Sequence, residues 1–329
     1  MAYKKSVYIK AKQALDERRA QAEAKAQLRH DEVVEKCPQI AEIEREMASF
    51  GAEAIRYAAR GEDAKEYIMQ LSVKDLEAQR KRKELLNEAG YREDYLENVY
   101  FCPVCKDTGT HGNFYCKCYM ELIKQTARDG IKASAQMKKC TFETFDLKYY
   151  SDETDPAIKM SHRELMKNIV AYLKDYSNEF SRSSKGLIML GKTGLGKTHL
   201  SLSIVNRLVD RGFNVYYDSA QSILDRLQKQ HFSRDSADED IDDDIYESDL
   251  LVIDDLGTEF STSFTVSALY NVLNTRINNG LPTIISTNMK LNEIEEKYSQ
   301  RFASRIVGDC DVVEFFGKDI RQQKARLGL

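Results

Sequence analysis

The residues with the most specific chemistry form a glycine-rich loop, GKTGLGKT, at 191–198. The loop follows the apolar run GLIML and opens a helical pattern, which is the strand-loop-helix setting of a phosphate-binding loop. Its glycines let backbone N–H groups point at phosphates, Lys197 reaches the β and γ phosphates, and Thr198 binds Mg²⁺. A glycine-rich turn that matches by chance is the alternative. We predict a nucleoside triphosphate site made by Gly191, Lys192, Thr193, Gly194, Leu195, Gly196, Lys197, Thr198 and His199.

Two adjacent carboxylates, Asp254 and Asp255, end the apolar run LLVIDD. At the tip of a strand beside the loop, Asp254 is predicted to hold Mg²⁺ through water. Asp255 is predicted to orient and polarise the water that attacks the γ-phosphate. Because aspartate reaches less far than glutamate, we expect slow hydrolysis, with Glu259 as a candidate helper. The alternative is that these acids only cap a helix after Gly257.

Four cysteines lie within seventeen residues, as C-P-V-C, ten residues and C-K-C. Turn-forming residues between the two halves suit a metal knuckle, and four thiolates form a closed tetrahedral zinc site with a structural role. Because C-x-C is less common than C-x-x-C, His111 stays an alternative ligand in place of Cys116 or Cys118. An iron-sulfur cluster, a redox pair and unligated core cysteines are further alternatives. The predicted zinc ligands are Cys102, Cys105, Cys116 and Cys118.

The composition limits the class of protein. Of 329 residues, 49 are basic and 53 acidic, which gives a formal net charge of −4, and 42% are hydrophobic. This balance excludes a protein that coats nucleic acid by charge alone, so any DNA contact is expected in a local groove. No run has the length of a signal-peptide core or approaches the ~18 apolar residues of a membrane span. The sequence therefore predicts a cytoplasmic protein without membrane contact.

The first hundred residues read as helical, because from Tyr8 to Glu97 they are rich in Ala, Glu, Lys, Arg and Gln. One helix is predicted to begin at Cys37-Pro38, since proline suits the first turn of a helix. Its apolar residues recur every three or four positions and need a partner surface. The segment from Ala11 to Glu32 has few large apolar residues. We expect it either to be solvated or to pack on another molecule.

The remaining chain alternates helical patterns with short apolar runs, namely GLIML, FNVYY, DLLVIDD, PTIIST and DVVEFF. This alternation predicts an α/β domain with a parallel sheet covered by helices. The predicted organisation is a helical N-terminal domain at 1–119 with a zinc knuckle at 102–118, a linker at 120–141 and an α/β domain at 142–329.

The motifs GKTGLGKTHL, LLVIDDLGTE, TIISTN, RFASRI and GKDIRQQK together resemble the AAA+ ATPases of the DnaC/DnaI helicase-loader group, with IstB as a close relative. The resemblance covers about 142–329 and implies an AAA+ P-loop NTPase fold with a five-stranded core that binds ATP. It implies that Asn288 senses the γ-phosphate or the attacking water and that Arg321 is a second sensor. Arg305 would be an arginine finger for the neighbouring subunit, with Arg301 as the alternative. On the residues alone, the alternative for Asn288 is a turn residue at the end of a strand, and the alternative for Arg305 and Arg321 is an intradomain salt bridge.

The resemblance implies an ATP-dependent loader of the replicative DNA helicase whose ATPase is slow and depends on assembly. The zinc-containing N-terminal domain resembles the helicase-binding domain of the DnaI type. The expected partners are the helicase hexamer, single-stranded DNA and further copies of the ATPase domain. A transposition helper that assembles on duplex DNA and recruits a transposase is one alternative. A binding module that ATP switches without appreciable hydrolysis is the other.

Overall fold

The computed structural model describes residues 3–58, 65–232, 244–326 and 328. The chain forms two compact units, one of Ile9–Glu121 and one of Leu122–Leu329 together with Met1–Tyr8. The division follows Glu121, whereas the sequence predicted a domain end at 119 and a linker at 120–141. That predicted linker contains the end of one helix, Lys117–Asp129, and a short helix, Ser134–Met137.

The Ile9–Glu121 unit is mainly helical, as predicted. Its helices are α1 (Lys5–Lys36, which begins before the unit), α2 (Gln39–Ala58) and α3 (Lys65–Glu88), followed by the hairpin β1 (Thr110–His111) and β2 (Phe114–Tyr115). Helix α2 begins directly after Pro38, where proline was predicted to open it. A small core joins the three helices through Val33, Cys37, Ile40 and Leu86.

Helix α1 is not fully solvated, because part of it packs within its own unit, a possibility that the two predicted alternatives did not include. It buries Ala11, Leu15, Ala22, Ala26 and Val33. A Cβ added to Gly109 would lie 2.6 Å from Cδ2 of Leu15, and the Lys12 ammonium donates to the carbonyl of Thr108 at 3.3 Å. Alanine permits close approach of neighbouring backbone, so a face of small residues packs well with little apolar area. The prediction had counted only large side chains.

The Leu122–Leu329 unit is built on a five-stranded parallel sheet. Its strands are β5 (Gly186–Leu190), β6 (Val215–Ser219), β7 (Leu250–Leu256), β8 (Thr283–Thr287) and β9 (Cys310–Glu314), in the order β6-β7-β8-β5-β9. A separate pair is formed by β3 (Thr154–Asp155) and β4 (Met160–Ser161). The predicted α/β fold with a five-stranded core is confirmed.

This unit also contains helices, of which the first begins before Leu122. They are α4 (Lys117–Asp129), α5 (Ser134–Met137), α6 (His162–Glu179), α7 (Lys197–Asp210), α8 (Ala220–Phe232), α9 (Ser263–Asn278), α10 (Leu291–Tyr298), α11 (Gln300–Asp309) and α12 (Ile320–Arg326), with a 3₁₀ turn at Leu147–Tyr149. The core between sheet and helices includes Ile188, Ile253, Leu269, Ile285 and Phe302. No helix in the described residues has the length and apolar character that crossing a bilayer requires.

The sheet order places three chemical segments at one edge. Strand β8 pairs with β5 on one side and with β7 on the other, all parallel. Parallel strands end at the same edge, so the loop after β5, Asn288 after β8 and the acids at the tip of β7 come together. The pairing of β7 with β8 shifts register between Ile253 and Leu256, and Asp255 has a φ of +52°. The two acids therefore fall where the pairing of β7 with β8 is interrupted, while Asp254 still pairs with Ser219 of β6.

Candidate functional site

The glycine-rich loop at 191–198 joins β5 to α7, as predicted. Gly194 and Gly196 have φ values of +77° and +88°, a region that favours glycine. A Cβ on Gly194 would lie 2.1 Å from Oδ1 of Asp319, and one on Gly196 would lie 2.7 Å from the Phe145 ring. Both positions therefore require glycine for conformation and for space. The loop backbone can turn tightly at the start of α7, where helix N–H groups attract anions.

Lys197 is the buried cation of the loop, with 5% of its surface exposed. Its ammonium donates to the carbonyls of Gly191 at 2.6 Å and Lys192 at 2.9 Å, and to Oδ1 of Asn288 at 2.7 Å. Burial lowers the pKa of Lys197, while the carboxylates of Asp255 and Asp254 raise it. An anion such as a phosphate at this ammonium would stabilise its charged form.

Asp254 is held by three hydroxyl groups. Thr198 Oγ1 donates to its two oxygens at 3.2 and 3.1 Å, Tyr217 donates to Oδ2 at 2.6 Å, and Ser286 donates to Oδ1. Thr198 and Asp254 are the hydroxyl and carboxylate predicted to hold Mg²⁺, and the structure brings them into contact. Oxygen ligands of this kind fit Mg²⁺, which usually keeps several waters.

Tyr217 and Ser286 were missed by the sequence reasoning. Tyr217 lies in the predicted strand FNVYY, and Ser286 lies two residues before Asn288 in TIIST. Ser286 Oγ also accepts the backbone N–H of Asp255 at 3.0 Å, so it contacts both acids of the tip. A polar residue within an apolar strand next to a predicted site was the available signal.

Asp255 is half-buried beside Asp254, and it shares the Ser286 hydroxyl through its backbone N–H. Burial and the charge of Asp254 raise the pKa of Asp255, while Lys197 and Arg321 lower it. A carboxylate with a raised pKa is a better proton acceptor than an ordinary aspartate. Its position suits a residue that polarises water.

Glu259 does not occupy the position expected of a helper, which corrects that prediction. Its Oε2 accepts the N–H of Gly257 at 2.8 Å, and its Oε1 accepts hydrogen bonds from Tyr298 and from Lys297, the latter at 3.0 Å. Burial raises the pKa of Glu259, but these hydrogen bonds outweigh it and leave the pKa below its ordinary value. The carboxylate is thus engaged within the protein.

A cavity of about 400 Å³ opens beside the loop, a size typical of ligand sites. Asp255, Asn288, Arg321 and loop residues Thr193–His199 line it. Phe145 and Tyr149 also line it, and the sequence reasoning missed both. The ring of Phe145 lies 5.3 Å from that of His199, whose Nε2 is 2.9 Å from the carbonyl of Thr141. Charged and aromatic side chains therefore both line the cavity.

The two candidate finger residues, Arg301 and Arg305, lie on α11, and neither lines this cavity. Arg301 is exposed and Arg305 is half-buried. Within the described residues, neither guanidinium has a hydrogen-bond or ion-pair partner. The described residues therefore do not support the alternative of an intradomain salt bridge for Arg305. They do not support it for Arg321 either.

The four predicted metal-binding cysteines converge in the Ile9–Glu121 unit. Their sulfur atoms all lie within 4.8 Å of one another, with Cys102 and Cys116 at 3.8 Å and Cys105 and Cys118 at 3.4 Å. Four thiolates at Zn–S distances near 2.3 Å around one Zn²⁺ would be about 3.8 Å apart. The donor set and its spacing fit zinc.

The backbone around the cluster is shaped for this convergence. Asp107 is fully buried and accepts the N–H groups of Phe101 at 2.8 Å and Cys102 at 2.9 Å. Hydrogen bonding by the N–H of Cys105 lowers the pKa of the Cys102 thiol to about 7, which favours the thiolate form. The alternative ligand His111 is exposed on β1, while all four cysteines belong to the cluster.

Comparison with known proteins relates the chain to ATP-binding proteins. The model of the family "IstB-like ATP binding protein" matches residues 125–328. The chain is 24% identical over 187 residues to the replicative helicase loader DnaC of Escherichia coli K12, across 57% of this chain and 70% of that protein. It is 27% identical over 199 residues to the replicative helicase loader DnaI of Bacillus subtilis 168, across 57% and 58%.

Two solved structures also match part of the chain. A crystal structure of the DnaC helicase loader matches with a TM-score of 0.45 and 18% identity, over 55% of this chain and 99% of that one. A crystal structure of DnaI matches with a TM-score of 0.43 and 23% identity, over 56% and 92%.

Proposed function

Because this chain belongs to the family of IstB-like ATP-binding proteins, we propose that it is an ATP-dependent loader of a replicative DNA helicase. Its similarity to two replicative helicase loaders supports this choice of partner. The observation that supports the chemistry best is that two contacts meet at the edge of one sheet. Lys197 contacts Asn288, and Thr198 contacts Asp254. A cation, an amide, a hydroxyl and a carboxylate there suit a triphosphate.

In this proposal the loop backbone and Lys197 bind the phosphates of ATP. His199 belongs to the wall of the cavity near the adenine base of ATP. Thr198 and Asp254 hold Mg²⁺, which neutralises phosphate charge when it is bound. Asp255 polarises the attacking water, and Asn288 donates its amide N–H to the γ-phosphate or to that water. Arg321 adds positive charge from α12. Hydrolysis is slow because no glutamate stands at the position of Asp255.

Assembly completes the site. Arg305 of one protomer acts as an arginine finger on the ATP of its neighbour, with Arg301 as the alternative residue. A guanidinium inserted from a second subunit stabilises charge that develops on the transferred phosphoryl group. ATP binding is thereby coupled to self-association of the ATPase domain. Hydrolysis then releases the loader.

The helical N-terminal domain binds the helicase hexamer, and the ATPase domains order themselves around the hexamer and single-stranded DNA. Cys102, Cys105, Cys116 and Cys118 hold Zn²⁺, whose role in a closed site of four thiolates is structural. Exposed apolar side chains near the cluster, such as Phe101, Val104 and Phe114, support a protein-binding role.

A binding experiment tests the choice of partner. The full chain is mixed with the replicative helicase of the same genome, with and without ATP and Mg²⁺, and the complexes are sized by light scattering. We expect a stable complex whose composition changes with ATP. No complex under either condition would refute the loader function and leave an ATPase of another kind.

The family model carries the name of IstB, and this favours a transposition helper as the second candidate. That function requires assembly on duplex DNA, whereas a loader requires single strands. Fluorescence anisotropy with a labelled single strand and its duplex, each at several salt concentrations, separates the two. Preference for the duplex together with no helicase complex would support the helper.

Hydrolysis itself needs a test, because a binding module that ATP switches would share the phosphate loop. Phosphate release is measured for the unchanged chain, Lys197→Ala and Asp254→Asn. We expect the unchanged chain to release phosphate, and we expect the rate of release to fall by about tenfold or more in both variants. Equal rates in all three would show that the chain is not an ATPase.

A further inference from the structure

An ionic cluster connects the turn after the acidic tip of β7 to α10, the helix before the one that carries the candidate fingers. Glu259 follows the tip and is 4% exposed, and Tyr298 at the end of α10 is 3% exposed. The Lys297 ammonium lies 3.0 Å from Oε1 of Glu259 and also donates to the carbonyls of Gly257 at 2.7 Å and Glu259 at 3.1 Å. Tyr298 donates to the same carboxylate oxygen. Loop and helix are thus joined by charge-assisted hydrogen bonds.

The loop end of this cluster lies close to the nucleotide site. Gly257 is two residues after Asp255, its N–H is bound by the Glu259 carboxylate, and a Cβ added there would lie 2.5 Å from Sδ of Met289. Met289 is the residue after Asn288. The turn at 255–259 therefore begins at one acid of the site and packs against the residue that follows its amide. A change in their positions would move the turn.

The helix end of the cluster lies next to α11. Only Ser299 separates α10 from α11, and its hydroxyl accepts the N–H of Phe302 at 3.3 Å. The rings of Tyr298 and Phe302 stack at 4.7 Å, and Phe302 is 1% exposed. With so short a joint and a buried ring contact, α11 follows any movement of Tyr298. Arg305 lies on that helix.

We propose that Glu259, Lys297 and Tyr298 are positioning residues that couple the ATP site of one protomer to the arginine finger it presents to the next. The proposal rests on the proposed ATPase function and adds a route between the two sites. The nucleotide moves the turn after Asp255, the cluster transmits the movement to α10, and α11 places its arginine. Each member contacts the others within the protein, so none is a catalytic residue.

Mixed assemblies test the coupling. Acceptor protomers carry Arg305→Ala and keep an intact ATP site. Donor protomers carry Asp255→Asn, which leaves ATP binding possible and stops their own hydrolysis, and they contribute fingers. We expect donors to stimulate hydrolysis by acceptors. For donors that also carry Glu259→Gln with Lys297→Met, we expect the stimulation to be at least about fivefold smaller. A fivefold effect is the lower end of the usual coupling between two sites.

Changing both charged partners together avoids an unpaired buried charge, which could unfold the chain. Tyr298→Phe in the donor is the second variant, because it removes one hydroxyl and keeps the ring on Phe302. Glu293→Gln is the matched control. It lies on the same helix α10, and within the described residues its carboxylate accepts one hydrogen bond, from the N–H of Lys290 at 2.7 Å, so these donors are expected to stimulate fully. Binding of a fluorescent ATP analogue to each donor is measured in parallel.

The outcomes separate this inference from the proposed function. Full stimulation by cluster-altered donors would overturn the coupling while leaving the trans finger intact. Loss of stimulation together with loss of ATP binding would also overturn it, because the cluster would then only support the fold. If donors with the intact cluster do not stimulate hydrolysis, the hypothesis of an arginine finger in trans is refuted, and the coupling is refuted with it. Loss of stimulation with ATP binding retained is the result we expect.

Discussion

The ammonium of Lys197 lies 2.7 Å from the amide oxygen of Asn288, across the boundary between the phosphate loop and strand β8. Strand β8 pairs with β5, which leads into the loop, so this contact follows from the sheet order. It leaves the amide N–H₂ of Asn288 as the donor on this wall of the cavity. An amide held by the lysine that binds phosphate is well placed to detect the terminal phosphate.

Asn288→Ala should therefore slow hydrolysis more than it weakens ATP binding. Loss of one preorganised donor to the reacting group typically costs a hundredfold or more, and we expect kcat to fall by about 10- to 100-fold. The Kd of ATP, measured with a fluorescent analogue, should change by less than about threefold, since Lys197 and the loop remain. Asn292→Ala, an exposed amide on α10, is the control. A raised Kd with unchanged kcat would assign Asn288 to ground-state binding.

Tyr217→Phe should raise the Mg²⁺ concentration that ATP binding requires. The hydroxyl lies 2.6 Å from Oδ2 of Asp254, and burial raises the pKa of Tyr217, so it stays a donor throughout the neutral range. Groups that orient a metal ligand commonly change metal affinity by 10- to 100-fold, and we expect about tenfold here. Titration of ATP-analogue fluorescence with Mg²⁺ measures this shift.

Tyr216→Phe is the matched control for that experiment, because its hydroxyl accepts from Arg226 at 2.6 Å. It should leave the Mg²⁺ titration unchanged. An identical curve for Tyr217→Phe and the unchanged chain would mean that Thr198 and Ser286 orient Asp254 without help.

The central sheet could be predicted because its strands are continuous apolar runs between helical segments. The loop with Lys197, the acid Asp254 and the amide Asn288 could be placed at one edge for the same reason. The role of Tyr217 could not be predicted. Its hydroxyl reaches Asp254 because Tyr217 pairs in register with Val252, and pairing between β6 and β7 is decided by tertiary packing.

Two further residues show where local reasoning failed. Glu259 is four residues from Asp255, but the positive φ of Asp255 and Gly257 turns the chain so that its carboxylate meets Lys297 and Tyr298. Helix α1 has Leu15 and several alanines but few large apolar side chains, so the sequence did not predict that it forms a core. Their packing depends on a close approach by Gly109, which a helical pattern does not reveal.

The cysteine cluster should contain one zinc ion per chain. We expect Cys105→Ser to lose the metal and to lower the melting temperature of the Ile9–Glu121 unit by more than about 10 °C, since metal binding contributes to folding. Elemental analysis after dialysis measures zinc, and far-UV circular dichroism follows melting. Cys37→Ser, a buried cysteine of the same unit outside the cluster, should keep the zinc. Iron in the purified protein, or equal zinc content in both variants, would contradict the assignment.

The ionic cluster at Glu259 should make stability depend on pH in a defined direction. Hydrogen bonds from Tyr298, Gly257 and Lys297 outweigh burial and hold the pKa of Glu259 below its ordinary value. A carboxyl whose pKa is lower in the folded state stabilises the fold above its unfolded pKa of about 4.3, and this contribution is lost as the pH falls through the folded value.

Glu259→Gln should therefore reduce the free energy of unfolding by about 3 kcal/mol at pH 7, since it leaves the Lys297 ammonium without its buried partner. The difference between this variant and the unchanged chain should shrink as the pH falls from about 5 towards 3. Urea denaturation at each pH, followed by circular dichroism, measures it. Glu293→Gln, whose carboxylate is at the exposed start of α10, controls for the loss of a charge. A constant difference would mean that folding leaves the pKa of Glu259 unchanged, and a difference that grows towards acid pH would mean that folding raises it; either result would contradict an ion pair between the turn and α10.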